Sequence, residues 1–283
     1  MITSVTEIAK AKINLALHVL GRRLDGYHEL DSVVAFADIG DELVISTSND
    51  LSLRRQGIFG ADVPGDGANI ILKAWHVLNT IFAAKGLVLP KVEVVLTKNL
   101  PVASGIGGGS ADAAAMLRGL LRLTRQNLSE AEIISLAKDL GADVPVCFRE
   151  VAARMQGIGE IITPLTIDLP RAIVLINPLL PCSTAAVFSH IALQPGQTHR
   201  MPLVLASPQD WRNDMTEAAF TTQPSITQVL ACLKTEPTFS TVRMSGSGAT
   251  CFGLVASMAQ ASAAAARLSV KNPNWWVRAA ELG

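Results

Sequence analysis

The stretch Pro101-Val-Ala-Ser-Gly-Ile-Gly-Gly-Gly-Ser-Ala-Asp-Ala-Ala-Ala-Met-Leu117 limits what this chain can fold into more than any other. Glycines at 105, 107, 108 and 109 permit φ > 0 and let another molecule approach the main chain. Small helix formers follow at once, with Ser110 read as the N-cap and Asp112 in the first turn. A loop that opens a helix in this way presents unpaired N–H groups and a partial positive charge, which suits an anion. It is not a P-loop, because Gly109 is followed by Ser110-Ala111 and not by Lys with Ser or Thr. Nor is it the dinucleotide fingerprint, because counting from Gly105 the last position is Ser110. Two readings stay open on the loop alone: a phosphate cradle, or a tight turn feeding a closely packed helix.

Composition narrows the class. A chain of 283 residues, 49% hydrophobic and 17% charged, can bury a substantial core. With 24 basic and 24 acidic side chains there is no excess of charge to attract nucleic acid or a membrane surface. Cys147, Cys182, Cys232 and Cys251 form no C-x-x-C pair and sit among apolar neighbours, so they read as free buried thiols rather than zinc ligands. The first residues carry no basic segment followed by an apolar run, and no apolar run reaches membrane-spanning length. The expectation is a cytoplasmic protein.

The order of elements is that of an α+β protein. Lys12-Ile-Asn-Leu-Ala-Leu-His-Val19 alternates with period two, as a half-buried strand does, and places Lys10, Lys12 and Asn14 on one face. Asp25-Gly26 marks a turn, and residues 31–37 and 42–47 read as strands. A helix is expected over 69–84, a strand over 91–97 and a helix over 110–124. Ser129-x-x-Glu132 is a capping box in front of another helix. Later segments predict strands at 172–177, 242–245, 249–255 and 275–279, and helices at 209–220, 225–234 and 257–268. The domain boundary is placed after Gln156-Gly-Ile-Gly-Glu160, giving domains 1–160 and 161–283.

Phosphoryl transfer needs anchors for the donor phosphates, positive charge on the moving group, and a group to orient or deprotonate the acceptor hydroxyl. Lys12 is a candidate for the charge, although a strand lysine among apolar residues usually reaches solvent. Asp143 precedes Val144-Pro145 and reads first as the N-cap of a short helix, a place compatible with catalysis. Tyr27, the one tyrosine of the chain, stands beside His28 in the turn and suits either a planar ligand or packing at a domain edge. The other histidines lack ligand spacing. Gly-x-Ser-x-Gly occurs nowhere, and Gly246-Ser-Gly248 reads on its own as a hairpin turn.

Taken together, four blocks resemble the GHMP kinases, the family of galactokinase, homoserine kinase, mevalonate kinase and phosphomevalonate kinase. They are Ala11-Lys-Ile-Asn-Leu15 with Gly26-Tyr-His28, the glycine loop, Leu140-Gly-Ala-Asp-Val-Pro145, and Ser245-Gly-Ser-Gly-Ala249. Gly-Tyr-His with Gly-Ala-Asp-Val-Pro resembles the branch that phosphorylates the 2-hydroxyl of 4-diphosphocytidyl-2-C-methyl-D-erythritol, in non-mevalonate isoprenoid synthesis. The resemblance implies a two-domain α+β fold, with an N-terminal domain like domain 2 of ribosomal protein S5, a C-terminal ferredoxin-like domain and the active site in the cleft between them. It implies Asp143 as general base and Lys12 as its activating partner. ATP would be held by Pro101, Val102, Ala103, Ser104, Gly105, Ile106, Gly107, Gly108, Gly109, Ser110 and Ala111, with Asn69 and Lys98 near the nucleotide. Tyr27 and Phe188 would sandwich the cytosine, His28 would bind its edge, and Asn14 would lie by the phosphorylated end. Mg²⁺ would be reached by Ser110. Expected partners are ATP and the small-molecule acceptor, with no nucleic acid or membrane, on a monomer or weak homodimer. The alternatives are another GHMP kinase, acting on homoserine, mevalonate or a sugar, or a non-catalytic ATP-binding relative. The chain departs from the family pattern with Lys10 where Pro or a small residue is expected, Ile106 for Leu, and Ala68 where Asp often precedes the Asn.

Overall fold

The computed structural model describes residues 3–65, 67–166, 170–205 and 208–283, apart from the side chains of 137 and 138. The chain forms two compact units, each assembled from separated stretches. The first holds Met1–Ala11, Ile39–Val102 and Gly107–Glu150; the second holds Lys12–Asp38, Ala103–Ile106 and Val151–Gly283. Two long strands, β1 (Ser4–Arg22) and β2 (His28–Thr47), lend residues to both. The two strands expected at 31–37 and 42–47 are thus one.

In the first unit, Glu42–Thr47 of β2 pairs antiparallel with β4 (Val92–Thr97), and β4 runs parallel to β3 (Ser52–Gln56). Between β3 and β4 lies α1 (Ile70–Ala84), so the three make a βαβ unit. Its apolar stripe, Ile71, Ala74, Trp75, Leu78 and Phe82, is buried. Asn69 caps it, accepting from Ile71 N–H at 2.8 Å and donating to Pro64 O at 2.6 Å. Helix α1 packs on α2 (Gly108–Thr124), and α2 on α4 (Val144–Arg149). Between them in sequence comes α3 (Glu130–Leu140), opened by the expected capping box: Ser129 Oγ accepts from Glu132 N–H at 3.3 Å, and the Glu132 carboxylate accepts from Ser129 N–H at 2.7 Å.

In the second unit, Leu30–Val34 of β2 pairs antiparallel with β5 (Ala153–Gly157), and β5 with β6 (Ile161–Pro164). A separate antiparallel sheet has the order β10 (Trp276–Glu281), β7 (Ala172–Asn177), β9 (Cys251–Val255), β8 (Thr241–Met244). Helices α5 (Thr184–Ser189), α6 (Thr216–Thr222) and α7 (Ser225–Lys234) connect β7 to β8, and α8 (Met258–Lys271) connects β9 to β10. This is a βαββαβ ferredoxin-like arrangement. Its core gathers Val174, Ile176, Val229, Leu233, Ala264 and Leu268 with Leu17 and Val19 of β1.

Two expectations shift. The helix expected over 209–220 begins only at Thr216, after a 3₁₀ turn at Pro208–Asp210. Asn213 lies between them in a bridge to Leu17, its amide donating to Met244 O and Gly246 O, and these bonds replace a helical ladder. Strand β1 is buried on both faces from Ala11 to Val19, where period two suggested one. In the second unit, polar partners meet Asn14 and the apolar core meets Leu17 and Val19. Among the described residues no helix is long and apolar enough to cross a membrane.

Candidate active site

Strand β4 delivers the chain to the glycine loop. Ala103, Gly105 and Gly107 have φ of 51°, 75° and 65°, so the backbone enters the left-handed region at alternate residues. Gly107, not Ser110, is the N-cap of α2. Ser110 lies inside the first turn, because the left-handed glycine starts the helix earlier than the hydroxyl suggested. A glycine cap supplies no side-chain acceptor, so no N-cap side chain satisfies the first N–H groups of α2, an end that suits an anion.

The Ser245–Thr250 loop between β8 and β9 braces the first half of the glycine loop. Ser245 Oγ donates to Gly105 O at 2.9 Å and accepts from Asn14 N–H at 3.0 Å. Thr250 N–H donates to Ser104 O at 3.1 Å, and Lys12 N–H to Ile106 O at 3.0 Å. The sequence showed Ser245 within a quoted block but assigned it no role. A Cβ on Gly105 would lie 2.5 Å from Ser245 O and 2.6 Å from Gly248 O. Gly105→Ala is therefore expected to cost roughly 1–2 kcal/mol of stability from the left-handed alanine alone, before the clash is counted. Urea unfolding will check this, and an unchanged stability would mean that the loop shifts to admit a side chain at 105.

The second half of the loop rests on a buried charge cluster. Lys98 Nζ donates to Asp41 at 2.6 Å and to Asp112 at 2.5 Å, and all three side chains are buried. Asp41 also accepts from the N–H groups of Asn99 and Leu100. Asp112 Oδ1 is buried with no partner, and burial, outweighing the pull of Lys98, pushes this carboxyl up to about 8. A proton on Asp112 leaves one cation facing one anion, the arrangement a low dielectric favours. The cluster ties the end of β4 to the first turns of α2. The ammonium expected near the nucleotide is thus committed to two carboxylates, and Asn69 to its cap.

The turn between β1 and β2 presents Tyr27, 60% exposed, and half-buried His28. The ring stack seen is between His28 and Phe188, with centroids 4.9 Å apart and planes 26° from parallel. His28 Nε2 is buried without a partner. Burial, then the charge of Arg22, lowers the His28 pKa, so the imidazole is neutral at physiological pH and offers one donor and one acceptor. Asn14 is buried, its amide donating to Ser32 Oγ at 2.8 Å.

Lys12 is buried, at 4% exposure, contrary to the expectation that a strand lysine reaches solvent. Asp143 occupies the N-cap position of α4 with a proline following in the first turn, yet its carboxylate accepts no cap hydrogen bond. The capping role is therefore not what holds this carboxylate. Lys12 belongs to the second unit and Asp143 to the first. Among the described residues no cluster of three His, Cys, Asp or Glu could hold a metal ion. A Mg²⁺ held largely by phosphates and water needs no such cage, and half-buried Ser110 in the first turn of α2 is compatible with it.

Residues 69–150 match the model for the GHMP kinases N terminal domain, and residues 204–274 that for GHMP kinases C terminal. The 4-diphosphocytidyl-2-C-methyl-D-erythritol kinase of Paramagnetospirillum magneticum is 44% identical, covering 99% of each chain. The enzyme of the same name from Rhizobium etli is 46% identical, over 98% of this chain and 94% of the relative. A crystal structure of 4-(cytidine 5'-diphospho)-2C-methyl-D-erythritol kinase superposes with a TM-score of 0.79 at 29% identity, covering 99% of each chain. Homoserine kinase from Cytophaga hutchinsonii shares the fold, with a TM-score of 0.72 at 16% identity over 99% of this chain and 95% of that one.

Proposed function

This chain belongs to the GHMP kinase family, among the 4-diphosphocytidyl-2-C-methyl-D-erythritol kinases, and from that premise we propose how its residues carry the reaction. It is an ATP-dependent kinase that phosphorylates the 2-hydroxyl of 4-diphosphocytidyl-2-C-methyl-D-erythritol in the non-mevalonate isoprenoid pathway. The observation that carries this is identity of 44–46% to kinases of that name over essentially the whole chain.

Asp143 takes the proton of the acceptor hydroxyl as its oxygen forms the new bond to the γ-phosphorus of ATP. The bond to the bridging oxygen breaks, and ADP leaves. Lys12 supplies fixed positive charge that stabilises the developing anion. Main-chain N–H groups of the loop Pro101–Ala111 bind the phosphates, with Asn69 and Lys98 beside the nucleotide through the elements they hold in place. Mg²⁺, held by Ser110, would neutralise phosphate charge when bound with ATP. Tyr27 and Phe188 receive the cytosine ring between them, His28 bonds its edge, and Asn14 stands at the phosphorylated end. The same reading takes the enzyme as a cytoplasmic monomer or weak homodimer with no nucleic-acid partner.

An ADP-release assay tests the proposal. Release is expected with the cytidylated acceptor and not with homoserine, mevalonate or galactose. Release with one of those would replace the acceptor, and silence with all four would leave a non-catalytic relative. Tyr27→Ala is expected to raise KM for the cytidylated acceptor roughly tenfold with kcat little changed, since base–aromatic stacking is worth about 1–3 kcal/mol. An unchanged KM would remove the stacking role.

A further inference from the structure

The rings assigned to the acceptor come from two separate segments. The β1–β2 turn carries Tyr27, β2 opens on His28, and α5 carries Phe188. Arg22 joins these segments. Its Nε donates to Gly26 O at 3.2 Å, and its Nη1 donates to Leu193 O at 3.1 Å. Its own main chain is clamped: N–H to Gln197 O at 2.9 Å, and C=O accepting from Gly196 N–H at 2.7 Å.

From each carbonyl a short path leads to a ring. Leu193 N–H donates to Ile191 O at 2.8 Å, and Ile191 N–H to Phe188 O at 3.1 Å. On the other side, Gly26 N–H donates to Arg23 O at 3.0 Å and Arg23 N–H to Tyr27 O at 2.7 Å, closing the turn just before His28. The guanidinium fork is spent on two neutral carbonyls, one on each segment. A fork of fixed geometry sets the distance between two acceptors more rigidly than a single ammonium does.

We propose that Arg22 is a positioning residue for acceptor specificity, fixing the spacing of Tyr27 and His28 against Phe188 and so the binding of the acceptor's planar ring. This rests on the reading that these rings receive the cytosine. The arginine also lies close enough for its charge to lower the His28 pKa, second to burial, which keeps the stacked imidazole neutral.

The test compares wild type, Arg22→Ala and Arg22→Lys by kcat, by KM for each substrate, and by calorimetric binding of CMP. Arg22→Ala is expected to raise acceptor KM at least tenfold and to weaken CMP by a similar factor. The KM for ATP and kcat should stay within about twofold, and Arg22→Lys should fall between. An unchanged acceptor KM overturns the proposal. So does a joint rise in both KM values, the mark of general loosening. Should Arg22→Ala fail to fold, Arg22→Lys decides by the same split. A wild type that binds no CMP sinks the cytosine reading itself. A wild type and Arg22→Ala that bind it equally well sink only the role of Arg22.

Discussion

Asp143→Asn lowers kcat by roughly 100- to 10,000-fold and leaves the affinities for ATP and acceptor within about tenfold, if Asp143 accepts the hydroxyl proton. Asparagine matches the carboxylate in size and removes only the basic oxygen. The structure makes this substitution cleaner than the sequence suggested. A capping aspartate would also lose about 1 kcal/mol of helix stability, but the Asp143 side chain makes no N-cap hydrogen bond to α4. Single-turnover transfer, read with thermal unfolding, separates the two effects: the rate should collapse while the melting temperature stays near wild type. Full activity in the variant would take Asp143 out of the mechanism.

Lys98→Met is expected to cost about 3–5 kcal/mol of stability, because it leaves the buried Asp41 carboxylate, with protonated Asp112 in the same cluster, without its cation. Urea unfolding measures it directly. The triple variant with Asp41→Asn and Asp112→Asn should regain much of the loss, since removing a whole buried charge cluster is far less damaging than removing one member. A loss below about 1 kcal/mol in Lys98→Met would mean that the cluster contributes little to the folded state.

Much of this architecture is legible in local pattern. The capping box at Ser129, the strand period from Lys12 and the turn-and-helix signature of the glycine loop each act over a few residues. The misplaced start of α2 has a local cause as well: a serine after glycines looks like a cap until the left-handed Gly107 is seen. What pattern could not show is contact between distant residues. From sequence, Lys98 is expected near the nucleotide and Asp112 in a helix's first turn, and nothing in their spacing announces that they are buried together with Asp41. Ser245 stood in a recognised block, but its bond to Gly105 spans 140 positions. The same holds for the rings: nothing in the spacing of His28 and Phe188 announces that they stack. The four blocks of the resemblance outweighed these gaps in identifying the family, because they sample well-separated parts of the chain at once.

The first strand has a consequence for how such a chain can vary. Ser4–Ala11 of β1 sits in one unit and Lys12–Arg22 in the other, along a single unbroken strand. Side chains alternate along it with a strict period of two, so inserting or deleting one residue near Ala11 would turn every later side chain to the opposite face. Lys12 and Asn14 would exchange places with Ile13 and Leu15, charge entering the apolar face and hydrocarbon the polar one. Substitution can change what β1 is made of, but its length is locked, and natural insertions should gather in the turn that follows it.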